Sequence, residues 1–198
     1  MISFLMMEIA GVVLAGGSNR RFPILKGLME VEGERVIDRN LRLLRRFFSQ
    51  VLISTNRPDA YFYTGAQLVG DLYPSIGPLV GICSSLITSE ADALCVMACD
   101  MPFVRPELID ILIKSIGSGD AVIFEHSGRL HPLLGIYRAS LIPLMEQLIN
   151  QKDTEMIGFI RQIECRIIGE AEFPKLSGLE KSFVNINTPE EYRRYKGG

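Results

Sequence analysis

The sequence predicts an α/β fold built on a mostly parallel sheet with helices on both faces. Three observations predict it. Short apolar runs rich in β-branched residues alternate with segments of helical periodicity. Polar and glycine-rich motifs fall just after those runs, where open parallel sheets bind their ligands. A chain of 198 residues, 47% of them hydrophobic, is enough for one domain with a sizeable core.

Ile9–Leu14 is an apolar run that ends in glycines, and it reads as the first buried strand. Arg35–Phe48 places Val36, Ile37, Leu41, Leu44 and Phe48 on one helical face and leaves Arg42, Arg45 and Arg46 solvated. Val51–Thr55 and Gln67–Gly70 read as the second and third strands. Gly77-Pro78 opens a helix over Leu79–Ile87. Leu94–Ala98 is a wholly apolar strand, and Pro106–Ile116 is a helix with proline in its first turn. Ala121–Phe124 is followed by a turn at Ser127-Gly128-Arg129 and by Leu133–Tyr137, which joins the same sheet. Ser140–Asn150 reads as a helix, Arg166–Ile168 and Phe183–Ile186 as late strands, and Pro189–Tyr195 as a closing helix. There is no internal repeat and no low-complexity linker, so residues 1–198 read as one domain.

Composition excludes several classes. A net charge of −2 gives no nucleic-acid footprint. No stretch approaches 18 apolar residues, so no membrane span is expected, and the apolar start lacks the basic region of a signal peptide. Cys83, Cys95, Cys99 and Cys165 lack zinc-ligand spacing and read as reduced thiols of a cytoplasmic protein. No Ser/His/Asp grouping can be placed and no HExxH occurs, so nothing argues for hydrolysis by a side-chain nucleophile.

The chemistry sits at the strand ends. After the first strand comes Ala15-Gly16-Gly17-Ser18-Asn19-Arg20-Arg21, then Lys26. Glycines admit close backbone approach, successive amides form an anion nest, and Arg21 and Lys26 suit a polyphosphate. Either cation could equally be an exposed loop residue. The Walker spacing and the dinucleotide fingerprint are both missing. Asn56 after the second strand is a hydrogen-bonding group for a base or ribose, or a turn asparagine. Asp71 after the third accepts from a ribose hydroxyl or base N–H, or starts the turn towards Pro74. Gly77-Pro78-Leu79 offers amides to a base edge, or simply begins its helix. Asp100 ends an apolar strand, where a carboxylate is costly unless solvated, paired or bound to a cation; it is the magnesium-ligand candidate, with a turn cap as the alternative. His131, beside the hairpin turn, reads as structural on its own.

The ordered set of motifs resembles the molybdenum cofactor guanylyltransferase (MobA) family. Leu14-Ala15-Gly16-Gly17 with Arg21 and Lys26, Gly77-Pro78-Leu79-Val80-Gly81, Cys99-Asp100-Met101-Pro102-Phe103, Arg129-Leu130-His131-Pro132-Leu133 and Phe183 to Glu191 carry the resemblance across nearly the whole chain. It implies a Rossmann-like nucleotidyltransferase fold and transfer of GMP from GTP to the terminal phosphate of molybdopterin or Mo-molybdopterin, with Mg2+ on Asp100. It further implies catalytic roles for Arg21, Lys26 and Asp100. Nucleotide contacts would come from Leu14, Ala15, Gly16, Gly17, Lys26, Asn56, Asp71, Gly77, Pro78, Leu79 and Asp100. Asn185, Asn187 and His131 would lie on the acceptor side. Transient contacts with other molybdenum cofactor biosynthesis proteins and with molybdoenzyme maturation factors would follow from such a role.

The chain also departs from the family. The loop reads Arg21-Phe22-Pro23 where Arg-Met-Gly is usual, so Pro23 fixes φ and removes one amide donor. Leu25 stands where an acidic residue often precedes the lysine. The neighbouring alternatives are a CTP-dependent molybdopterin cytidylyltransferase, disfavoured by Gly16 where those relatives usually carry alanine, another small-molecule nucleotidyltransferase, and a non-catalytic nucleotide-binding protein.

Overall fold

The structure is a computed structural model and describes residues 7–16, 25–74 and 77–195. In chain order its elements are β1 (Ile9–Leu14), β2 (Glu30–Val31), β3 (Glu34–Arg35), α1 (Val36–Leu44), β4 (Val51–Ser54), α2 (Pro58–Tyr61), β5 (Gln67–Val69), α3 (Pro78–Ser89), β6 (Ala93–Ala98), α4 (Pro106–Ser115), β7 (Ala121–His126), β8 (Arg129–Arg138), α5 (Ile142–Asn150), α6 (Met156–Ile160), β9 (Cys165–Ile168) and α7 (Pro189–Tyr195).

Seven strands form one sheet in the order β5-β4-β1-β6-β8-β7-β9. β1 pairs in parallel with both β4 and β6, and β5 extends the parallel half. β8 alone runs against its neighbours β6 and β7, while β9 is parallel to β7. The chain leaves β1 first on one side towards β4 and β5, then on the other towards β6. A crevice opens at such a switch point, outside the carboxyl ends of the strands.

The side-chain alternation of β1 sorts the core into two layers. Val13 faces α1 and α4, packing with Ile37, Leu41, Leu108 and Leu112. Val12 and Leu14 face α3, α5 and α6, packing with Leu79, Ile82, Met145 and Phe159. α1 is anchored further by Asn40, buried, whose Nδ2 donates to the carbonyl of Ala98 at 3.3 Å. A third, smaller core joins Met29, Val31 and Val36 to Ile186 near the carboxyl terminus.

Several boundaries differ from the expectations. The first helix begins at Val36, because Arg35 is extended and pairs with Glu30 in the β2–β3 hairpin, which the sequence reading missed. Its end at Leu44 is closed by tight turns rather than carried to Phe48. Leu133–Tyr137 is the later part of a ten-residue strand, and the turn at Ser127 and Gly128 has positive φ at both residues, as a tight hairpin requires. Phe183–Ile186 is not a strand. Leu179–Phe183 is a 3-10 helix, and Ile186 gives its amide to the carbonyl of Asp100 while its side chain fills the third core. Phe183 packs into the layer of α1 and α4, and Ile186 into the small core, instead of lining a ladder. α2 and α6 were also missed; both are about one turn long and carry little periodicity.

The cysteines are free thiols; Cys83, Cys95 and Cys99 are buried and Cys165 partly so. No helix among the described residues is long and apolar enough to cross a membrane. Arg42 pairs with Glu34 through its Nε and Nη2 on an exposed face, in keeping with a solvated arginine cluster.

Candidate active site

A cavity of about 440 Å³ opens over the carboxyl ends of β1, β4, β5 and β6. Leu14, Ala15 and Gly16 leave β1 along its wall; Ser54, Thr55 and Asn56 follow β4; Asp71 follows β5; Cys99 and Asp100 follow β6. The sequence expectation that separate strand ends converge on one site therefore holds for these residues.

Lys26 and Asp100 form the polar centre. Lys26 Nζ donates to Asp100 Oδ2 at 2.9 Å and to Asn187 Oδ1 at 2.6 Å. Asp100 is mostly buried, and its Oδ1 is buried with no hydrogen-bond partner among the described residues. A buried anionic oxygen without a donor is costly unless a cation or ligand satisfies it. Among the described residues no group of three His, Cys, Asp or Glu could cage a metal. A magnesium ion does not need a cage, since it keeps waters and takes substrate phosphates alongside one or two carboxylates. The residues present fit that arrangement, with Asp100 as the protein ligand.

On the opposite wall Asn56 and Asp71 exchange two hydrogen bonds. Asn56 Nδ2 donates to Asp71 Oδ2 at 2.7 Å, and the amide of Asp71 donates to Asn56 Oδ1 at 2.9 Å. Both residues also line the cavity, so each turn asparagine or aspartate is at once a turn device and a candidate ligand group.

Glycine usage separates packing from ligand space. Gly77 has φ +146°, and a side chain there would crowd Thr154. A Cβ on Gly81 would lie 2.6 Å from Ser54 Oγ, so the first turns of α3 seat directly on the end of β4. Gly16 has neither constraint: a Cβ there would meet nothing within 4 Å among the described residues. Packing among the described residues therefore does not require glycine at position 16. The positive end of the α3 dipole, at Gly77 and Pro78, also faces the cavity.

Other expected residues are placed differently. Leu79 is wholly buried in the core behind Pro78 and does not line the cavity. Asn187 reaches Lys26 directly, and Asn185 buries an unpartnered Oδ1 nearby in the chain. His131 lies elsewhere: it pairs opposite Phe124, with its ring 4.8 Å from that of Phe183 and 6.5 Å from that of His126. Burial, reinforced by His126 and Arg129, lowers its pKa. Gly17, Arg21 and the Phe22-Pro23 departure lie outside the described residues.

Leu25, Ser54, Thr55, Arg57, Gly81, Cys99 and Leu133 also line the cavity without having been singled out as site residues. Most adjoin a strand-end motif, and that adjacency is the signal that could have found them. Leu133 could not be found so, because a break in register between β7 and β8 at Ile123/Phe124 carries it there. Burial pushes the Cys99 thiol up to about 12, so it stays protonated at neutral pH and supplies no nucleophile.

Residues 11–165 match the family described as MobA-like NTP transferase domain. A probable molybdenum cofactor guanylyltransferase of Pelotomaculum thermopropionicum is 32% identical over 94% of this chain and 91% of its own length. One from a Geobacillus species is 33% identical over 94% and 97%. Among solved structures, molybdopterin-guanine dinucleotide biosynthesis protein A of Archaeoglobus fulgidus superposes with a TM-score of 0.81 at 26% identity, covering 94% of this chain and 96% of that one.

Proposed function

The chain belongs to the MobA-like NTP transferase family, and from that premise we propose that it transfers GMP from GTP to the terminal phosphate of molybdopterin, giving molybdopterin guanine dinucleotide and pyrophosphate. The observation that carries this reading is the pairing of Lys26 with a half-satisfied Asp100 at the switch-point cavity. The names of the relatives point to the same reaction.

In this reaction an acceptor phosphate oxygen attacks the α-phosphorus of GTP, and the bond to the bridging oxygen of pyrophosphate breaks. The attacking oxygen is already anionic at neutral pH, so no general base is needed. The protein's work is to hold two anions in line and to balance the charge that builds on the transferred and leaving groups. Lys26 supplies a point charge, and the exposed face of Gly16 lets backbone amides approach a phosphate. Arg21 adds a planar fork in the same reading. Asn56 and Asp71 offer a preformed donor and acceptor pair to the ribose or base.

Asp100 would hold Mg2+, and a bound magnesium ion would neutralise phosphate charge at the reacting centre. Asn185, Asn187 and His131 are assigned to the acceptor side. The same reading places the protein in the cytoplasm, where it would hand its product on through transient protein contacts.

The test is pyrophosphate release by the purified protein with molybdopterin, magnesium and either GTP or CTP, with Asp100→Ala in parallel. Release that needs GTP and the pterin, and that vanishes in the variant, is the expected result. Release with CTP in place of GTP would reassign the chain to cytidylyl transfer.

A further inference from the structure

Lys26 is held by an element far from it in sequence, and that element is itself held by one carboxylate. Glu191 Oε2, on the first turn of α7, accepts from the amide of Asn187 at 2.6 Å and from the amide of Thr188 at 3.0 Å. Thr188 Oγ1 accepts in return from the amide of Glu191 at 3.1 Å. Thr188 to Glu191 is a capping box, with proline at the first helical position. One residue earlier, Ile186 gives its amide to Asp100 and buries its side chain. Three consecutive amides are therefore fixed around Asn187, and Asn187 Oδ1 receives Lys26 at 2.6 Å.

We propose that Glu191 is a positioning residue for Lys26, acting through Asn187. A lysine on a flexible four-carbon stem samples many rotamers, and its ammonium has three donors. Asp100 and Asn187 take two of them, which aims the third. Asp100 alone could not fix the ammonium, because one acceptor leaves the stem free to swing about it. The neutral Asn187 supplies the second anchor without adding charge near a polyphosphate. Glu191 sets the backbone from which Asn187 reaches. The Asn187 amide, and after it Thr188, hold the Glu191 carboxyl below the usual carboxylate range, the mark of amides donating to its ionised form.

The proposal rests on the functional reading only in taking GTP as the ligand of Lys26, so its test has one arm without nucleotide. Acetylation of Lys26 by acetic anhydride, read by mass spectrometry against Lys114 in the same digest, reports how tightly the ammonium is held. Glu191→Ala and Asn187→Ala should each speed Lys26 acetylation several-fold, and the double variant should be no faster than Asn187→Ala alone. In the second arm, GTP affinity by calorimetry should fall about tenfold in either variant without further loss in the double, and Glu191→Gln should recover part of it. A role confined to holding the helix would lower the thermal midpoint but leave Lys26 reactivity unchanged, or give additive losses; either result overturns the proposal. Failure of GTP to bind the wild-type protein would overturn the functional reading, while the acetylation arm still decides the role of Glu191.

Discussion

Lys26 and Asp100 are 74 residues apart in the chain and 2.9 Å apart in space. The pair joins the segment after β1 to the end of β6 across the point where the sheet reverses its order. It leaves one buried carboxylate oxygen without a partner among the described residues.

Removing the charge of Asp100 while keeping its shape separates catalysis from folding. Asp100→Asn should lower GTP-dependent pyrophosphate release on the order of 100-fold or more, the scale of losing an electrostatic contact to the reacting groups. The thermal midpoint should move little, since the variant relieves the cost of a half-satisfied buried charge. Retained turnover in a folded Asp100→Asn protein would remove Asp100 from the mechanism.

Asn56 and Asp71 hold each other in place by two hydrogen bonds. Asn56→Ala should raise the KM for GTP on the order of tenfold with little change in kcat, the signature of lost ground-state binding. In an Asp71→Ala background the same change should cost much less, because the partner is already gone. Equal losses in both backgrounds would mean that the two residues act separately.

Two glycines should respond in opposite ways to alanine. At Gly135 a Cβ would lie 2.5 Å from the carbonyl oxygen of Val122, a backbone atom that cannot rotate away. Gly135→Ala should destabilise the protein by about 3 kcal/mol in denaturant unfolding. A Cβ on Gly16 meets no described residue, so Gly16→Ala should leave stability within about 0.5 kcal/mol. It should still weaken GTP binding about tenfold in calorimetry, because the methyl fills ligand space. A Gly16→Ala protein that binds GTP normally would refute the ligand-space reading.

The lowered pKa of His131 makes stability depend on pH. The unfolded chain takes up a proton at this residue near pH 6.5, whereas the folded protein resists it until lower pH. The contribution is therefore present above about pH 6.5 and is lost as pH falls from there through the folded value. Thermal unfolding at pH 7.5 and 5.5 should show this loss, and His131→Phe should reduce it. The same pH response in wild type and variant would show that another group is responsible.

Much of the fold was legible because burial leaves a mark on residue type. Ile9–Leu14 is read with its observed limits, since a central parallel strand is apolar on both faces and stops where backbone must meet ligand. Pro189–Tyr195 is likewise legible, because its capping residues are local. The segment Phe183–Ile186 misled because apolar residues that plug two separate cores and those that line a ladder share one composition. Of the site, Lys26, Asn56, Asp71 and Asp100 could be named from their places after strands. Leu133 could not, because the register break that carries it to the cavity depends on the pairing of two strands.

The sequence by itself determined the alternation of strands and helices, the strand ends that carry chemistry and the family to which their order belongs. These follow from short-range rules, in which periodicity, caps and glycines act over a few residues. Only the tertiary structure decided that Lys26 is shared between Asp100 and Asn187, that β8 also lies against β6 and that His131 does not line the cavity at the strand ends. Those are relations between side chains tens to hundreds of residues apart. They are set by which surfaces pack together, and no local pattern encodes that choice.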